Sequence, residues 1–413
     1  MRARWLRCQA GAAPGGAIFA VVGGLLLFAV LVWPQRTAPA NPQSVQAVSA
    51  TLRGQISHSD VASDIYGFRA LVGRRDAYLP LGTALRTLGI DWDVKLPSTH
   101  PPTCFLLLAP VAFMPWPLAS AAWAWLMVGL LCLSFRFCGL RWTMELGLTP
   151  PALLWPPVAA SLGQVTIVWL CGLAAAYHWR QRGPFRSGLG IGLAALTKLA
   201  PGIMVVVLLL RKQWRGVLAF VLVWTCALGA LILMSPAVFV QYLHANRTTL
   251  PATFARPDNS ALLATAFRAA GWPGVLVALS FLVLVIVAGL RRRFEATDGD
   301  AVTRLWLTFM YLAVALLPIA WVYSVTPLLP VMLYLLSRGR ATTTLTAAGA
   351  LAIPFFAPGW GAKSVAPLVV LTLLVGVGLI FDQPDSEVSA SRKGRFAAFG
   401  RLLRPCSPGA MTS

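Results

Sequence analysis

Five aspartates, Asp60, Asp64, Asp76, Asp91 and Asp93, stand in one polar segment, residues 35–102, of a chain with only 13 acidic residues. A carboxylate just outside a lipid-length helix can take a proton from a hydroxyl arriving from water while a lipid-linked partner enters sideways. Asp64 is the first candidate for that base. Asp60 is the alternative, one helical turn earlier and on the same face if the stretch is helical. The competing reading makes Asp64 the cap of an interfacial helix. His58 and His100 flank the same segment and could meet hydroxyls or a phosphate, or simply sit in solvent. Lys198 lies inside a long apolar run, where an ammonium costs about 2.5–3.5 kcal/mol on insertion scales. Such a lysine faces a cavity and an anion such as phosphate, or snorkels within the bundle. Arg69, Arg74, Arg75, Arg247 and Arg256 offer planar donor forks that suit phosphate.

The elements that must position these groups are helices in lipid. Hydrophobic residues make up 58% of the 413 positions and the mean hydropathy is +0.72, more than a soluble core of this length needs. The fold class expected is an all-α polytopic membrane protein. The formal charge of +21 comes from cations scattered between apolar runs. That pattern fits positive-inside topology and excludes a nucleic-acid stripe. Seven cysteines occur singly, without the paired spacing of a metal knuckle or a disulfide framework. They read as packing residues, and neither a metal nor a cofactor is expected.

Arg2, Arg4 and Arg7 precede the apolar run Ala17 to Trp33, which is long enough to cross a bilayer core and places the N-terminus in the cytoplasm. A cleaved signal is the competing reading, with Ala38-Pro39-Ala40 as the small-residue site. Residues 35–102 then form a large extracytoplasmic loop with interfacial helices. Further spans are expected at 103–115, 117–135, 148–162, 164–179, 187–210, 214–234, 274–290, 305–320, 322–337, 341–357 and 364–381. With the first they make about 12, or 10 if 187–210 is re-entrant. Residues 1–381 form one transmembrane domain, and 382–413 a basic cytoplasmic tail. With that tail inside, the loop at 235–273 and the turn at 320–323 face the same side as Asp64, so three separated stretches can converge on one outward cavity.

Several stretches carry a family resemblance. Asp64-Ile65-Tyr66-Gly67-Phe68-Arg69-Ala70 is followed by Gly73 and Tyr78-Leu79-Pro80. Next come His100-Pro101-Pro102, Gly163-Gln164 and the run Gly188-Leu189-Gly190-Ile191-Gly192-Leu193-Ala194-Ala195-Leu196-Thr197-Lys198-Leu199-Ala200-Pro201. Asp258-Asn259-Ser260 and Pro318-Ile319-Ala320-Trp321 complete the set. Together they resemble the GT-C polyprenol-phosphate-dependent glycosyltransferases, in particular glycosyltransferase family 87 of bacterial membrane mannosyltransferases. Two positions depart from the family pattern: a Tyr is expected at His100, and the His usual after the late Trp is replaced by Val322, Tyr323 and Ser324.

The resemblance implies a GT-C-type helix bundle in the bacterial plasma membrane with an extracytoplasmic site. It implies transfer of a sugar, mannose by family default, from a polyprenyl-phosphate donor to a glycolipid or polysaccharide acceptor. Asp64 is then the inverting general base, in register with the aromatic and glycine that follow. Lys198, Arg69 and Arg256 would hold the donor phosphate. His100, Gln164, Asn259, Trp321 and Tyr323 would contact sugar or acceptor. A transporter or flippase for a lipid-linked sugar is the alternative function. It leaves the carboxylate-rich loop unexplained, and no symmetry between halves supports it.

Overall fold

The computed structural model describes residues 45–54, 59–91, 97–138, 152–153, 155–181, 183–295, 299–320, 322–337, 341–356 and 365–381. The first apolar run, His58, Trp321 and the basic tail lie outside them. The described residues are helical, with no strand among them. Among the described residues, three helices are long and apolar enough to cross a membrane: Trp116–Phe137, Trp214–Met234 and Leu262–Leu290. Six shorter apolar helices accompany them. The chain is an all-α polytopic membrane protein. Its large apolar side chains face outward where lipid would be: Leu233 is 82% exposed and Val277 70%. A buried apolar cluster runs from Val48 to Leu379.

The polar loop is itself helical, with segments Val45–Leu52, Ser59–Val72 and Leu81–Arg86. Four of the expected boundaries move. Residues 103–115 are not one helix: Pro102–Leu107 is a six-residue helix followed by turns, far short of the roughly 20 residues a helical span requires. Among the described residues of 148–162, Pro156–Ser161 is again a helix of six residues. The expected loop at 235–273 is largely helix, Ala237–Ala255 and the start of Leu262–Glu295. That last helix absorbs the expected 274–290 span and kinks at Ala270 and Gly271, just ahead of Pro273.

The fourth change shapes the site. Residues 187–210 are not one helix. Pro184–Thr197 ends at Lys198, whose backbone is extended (φ −152, ψ 147), and the chain resumes as a 3-10 turn, Ala200–Met204, and a helix, Val205–Leu210. Pro201 explains the break, because its ring would collide with the carbonyl of Thr197 in a continuous helix. Helix ends leave orphan carbonyls, and here Thr103 Oγ1 donates to the carbonyl of Leu196 at 2.9 Å while Thr197 Oγ1 donates to that of Ala194 at 2.7 Å. The broken helix is thereby tied to the residues just after His100.

The glycines of the Gly188–Gly192 run bring backbones together. A methyl group at Gly172 would lie 2.6 Å from the carbonyl oxygen of Gly190, so the helices Thr166–His178 and Pro184–Thr197 touch main chain to main chain. This is the small-residue packing that membrane helices use where no hydrophobic effect drives them together.

Candidate active site

The site is built on the Ser59–Val72 helix, which presents Asp60 and Asp64 one turn apart. Gly67 sets its seating. An added methyl there would come within 2.7 Å of the Phe105 ring, so only glycine lets this helix lie against Pro102–Leu107. That contact carries Asp64 down to the 98–104 segment, where it is fully buried.

His100 Nδ1 stands 2.9 Å from both oxygens of Asp64, and the Cys104 thiol donates to Oδ2 at 3.5 Å. The histidine is held at its backbone too. Its N–H donates to Ser98 Oγ at 3.2 Å, and Tyr78 Oη donates to its carbonyl at 2.7 Å. Pro101 and Pro102 follow it, which keeps His100 out of the helix and starts the helix at a position where a missing N–H does no harm. Burial opposes the charged imidazole. The carboxylate of Asp64, with a smaller contribution from Asp60, outweighs that cost, so His100 titrates above its usual value.

Asp60 has different company. Tyr323 Oη donates to its Oδ2 at 2.8 Å, across 263 residues of chain. Lys198 Nζ lies 5.4 Å from the centre of the Tyr323 ring, a cation–π distance. The ammonium thus sits at a helix break, beside an aromatic face and near two carboxylates. It is not stranded in a hydrocarbon-facing helix.

Asn259 has all four hydrogen-bonding positions of its amide occupied by backbone. It donates to Thr253 (3.3 Å) and Pro318 (3.1 Å) and accepts from Ala261 and Ala320 (3.0 Å each). Ser260 reinforces the clasp, its N–H and hydroxyl both donating to the carbonyl of Ala320 at 2.8 Å. The 253–261 turn is thereby joined to residues 318–320, three positions before Tyr323. The three stretches expected to converge do meet through these bonds.

The other expected residues are placed as follows. Arg69 directs its guanidinium to the carbonyls of Ala112 and Met114. Arg256 pairs with Asp258 at 2.6 Å, half exposed. Gln164 is buried beside the Thr166–His178 helix, its Oε1 sealed without a partner, while its backbone carbonyl accepts from Trp123 Nε1 at 3.3 Å. That helix packs on the 3-10 segment Val322–Leu328 carrying Tyr323, and Ser161 is hydrogen-bonded to Thr326 at 2.8 Å. Trp321 lies outside the described residues.

Cys104 is more than the packing residue expected. Asp64, His100 and Cys104 bring a carboxylate oxygen, an imidazole nitrogen and a thiol within 4.8 Å of one another, a donor set that suits a thiophilic divalent ion. The scattered sequence positions concealed it. Two tetrahedral zinc ligands stand about 3.3 Å apart, whereas His100 and Asp64 are at hydrogen-bond spacing, so the geometry here is that of a bonded pair.

A membrane-embedded helix bundle with paired carboxylates and a cation at a broken helix defines the class of protein. The sequence profile "Glycosyltransferase family 87" matches residues 99–318, more than half of the chain. The chain belongs to glycosyltransferase family 87. It is also 26% identical, over 262 residues, to the polyprenol-phosphate-mannose-dependent alpha-(1-2)-phosphatidylinositol pentamannoside mannosyltransferase of Mycolicibacterium smegmatis (strain ATCC 700084 / mc(2)155). That match covers 59% of this chain and 62% of the relative, so the chain spans less than two thirds of the relative's length. No solved structure matches. The family match takes in His100, Gln164, Lys198, Arg256 and Asn259 but begins after both carboxylates and stops before Tyr323.

Proposed function

We propose that this chain is an integral-membrane glycosyltransferase that moves a sugar, mannose first among candidates, from a polyprenyl-phosphate donor to an extracytoplasmic glycolipid acceptor. The N- and C-termini are then cytoplasmic, and residues 1–381 act as one transmembrane domain. The observation that carries this reading is the convergence of Asp64, Asp60, Lys198 and Tyr323 on one short helix of the polar loop.

In such a transfer the anomeric carbon is already activated by its phosphate. The enzyme must deprotonate an acceptor hydroxyl and stabilise the departing anion. The carboxylate of Asp64 supplies the base and Lys198 the compensating charge at the leaving phosphate. Tyr323 offers a ring for the sugar face and a hydroxyl that keeps Asp60 in place. Gln164 carries an unpaired oxygen that a sugar hydroxyl would satisfy only if the packing around it opened, while Asn259 acts by clasping the turn that carries Tyr323. A single displacement inverts the anomeric centre. Purified chain in lipid nanodiscs, mixed with polyprenyl-phosphate mannose and a phosphatidylinositol mannoside, should release free polyprenyl phosphate together with an elongated acceptor. Donor that crosses the bilayer intact, with no release, would favour the transporter instead.

A further inference from the structure

Asp64 is fully buried and its carboxylate faces Nδ1 of His100 with both oxygens. The opposite nitrogen, Nε2, makes no hydrogen bond among the described residues. Of the pair, the imidazole keeps the more exposed side-chain surface, 8% against 1%. An ionised carboxylate against Nδ1 requires the proton on Nδ1, which leaves the lone pair of a neutral imidazole on Nε2. Ser98, Tyr78 and the two prolines fix the ring's backbone from three directions.

We infer that His100 is a catalytic residue, with Nε2 as the atom that takes the acceptor's proton and Asp64 orienting the ring and stabilising the imidazolium that forms. This rests on the glycosyltransferase reading and moves the proton acceptor within it from Asp64 to His100. The acceptor O–H bond breaks, and its proton goes to Nε2. The oxygen's electron pair forms the bond to the anomeric carbon. The bond from that carbon to the phosphate oxygen breaks, and its pair leaves with polyprenyl phosphate. Asp64 stays ionised throughout, and the imidazolium later gives its proton to water. An Asp64→Asn change removes the orienting charge, so loss of activity in that variant fits either base and does not discriminate between them.

The titratable groups around the ring are Asp64 and Asp60 from the Ser59–Val72 helix, Cys104 from Pro102–Leu107 and Lys198 from the helix break. The carboxylates raise His100, and Lys198 and burial lower it. The working form is neutral. The wild-type rate should therefore rise with pH through a value above the usual His range of about 6.5.

His100→Asn keeps a side-chain N–H near the position of Nδ1 and removes Nε2. In the nanodisc assay it should lose about 10²–10⁴-fold in kcat, lose the rising limb of the pH profile, and leave donor KM nearly unchanged. His100→Gly should recover part of its rate with added imidazole, which a merely structural role would not produce. A His100→Asn variant within about threefold of wild type, or one that keeps the rising limb, overturns the proposal. Should neither variant fold, the wild-type profile decides: a limb in the carboxylate range near 4 places the base back on Asp64. A wild-type chain that transfers no sugar defeats the glycosyltransferase reading itself, before any variant is compared.

Discussion

Two carboxylates on one helix, a single turn apart, end in different chemical settings. Asp64 finds its partners 36 and 40 residues on, in the segment that closes the same polar loop. Asp60 finds a partner 263 residues on, in a 3-10 segment. The first environment is dry and built around an imidazole; the second is partly open and built around a phenol and an ammonium. Side-chain type alone therefore does not assign a role. On the proposed reading, proton transfer goes where a titrating ring is held against a buried anion, and charge compensation goes where a cation stands at the edge of a broken helix.

The comparison breaks most sharply at Asp64. Asp64→Asn should lower transfer by about 10²–10⁴-fold, measured as polyprenyl phosphate released, whereas Asp60→Asn should cost about tenfold, the scale of one lost charged hydrogen bond. Equal losses would erase the distinction. Lys198→Met comes next. Losing a charged contact of about 1.5–3 kcal/mol should raise donor KM by roughly 10- to 150-fold with the acceptor KM unmoved, and an unchanged donor KM would remove Lys198 from the phosphate.

Asn259→Ala tests the clasp that carries Tyr323 toward Asp60. Backbone groups left unpaired in a buried turn should cost about 2–4 kcal/mol, read as a lower melting temperature in detergent. Tyr323→Phe is gentler. It keeps the ring near Lys198 and deletes only the bond to Asp60, so a loss of about 1.5 kcal/mol, near tenfold in rate, is expected.

The smallest effect is on stability with pH. His100 is raised in the folded chain, so its contribution is fully present below the unfolded value near 6.5 and is lost as pH rises through the folded value. Activity that depends on the neutral ring should climb over the same interval. Thermal melts that do not soften there in the wild type, relative to His100→Asn, would contradict the pairing with Asp64.

Much of the site could be read along the chain because its residue types are costly where they stand. A lysine in an apolar run, aspartates crowded into one loop, and glycines spaced to let helices touch each carry a penalty that marks them, and Asp64, Asp60 and Lys198 were singled out that way. Cys104 was not, since a lone cysteine beside phenylalanine and leucine looks like any packing residue. Asn259 was legible as a motif, but its work as a clasp was not. The helix at Ala237–Ala255 was hidden by its mixed polarity, and the six-residue helix at Pro102–Leu107 by an apolar run that reads like a span.

Composition and hydropathy by themselves determined that this chain lives in lipid as helices, and its motifs determined its family, because burial in hydrocarbon and close backbone packing constrain residue type locally. Which carboxylate meets which partner was decided only by tertiary structure. Those pairings are set by a proline-induced break at Lys198, a glycine at Gly67 that admits Phe105, and a return of the chain at Tyr323. Distances between such points depend on how the helices pack, and sequence separation carries no trace of them.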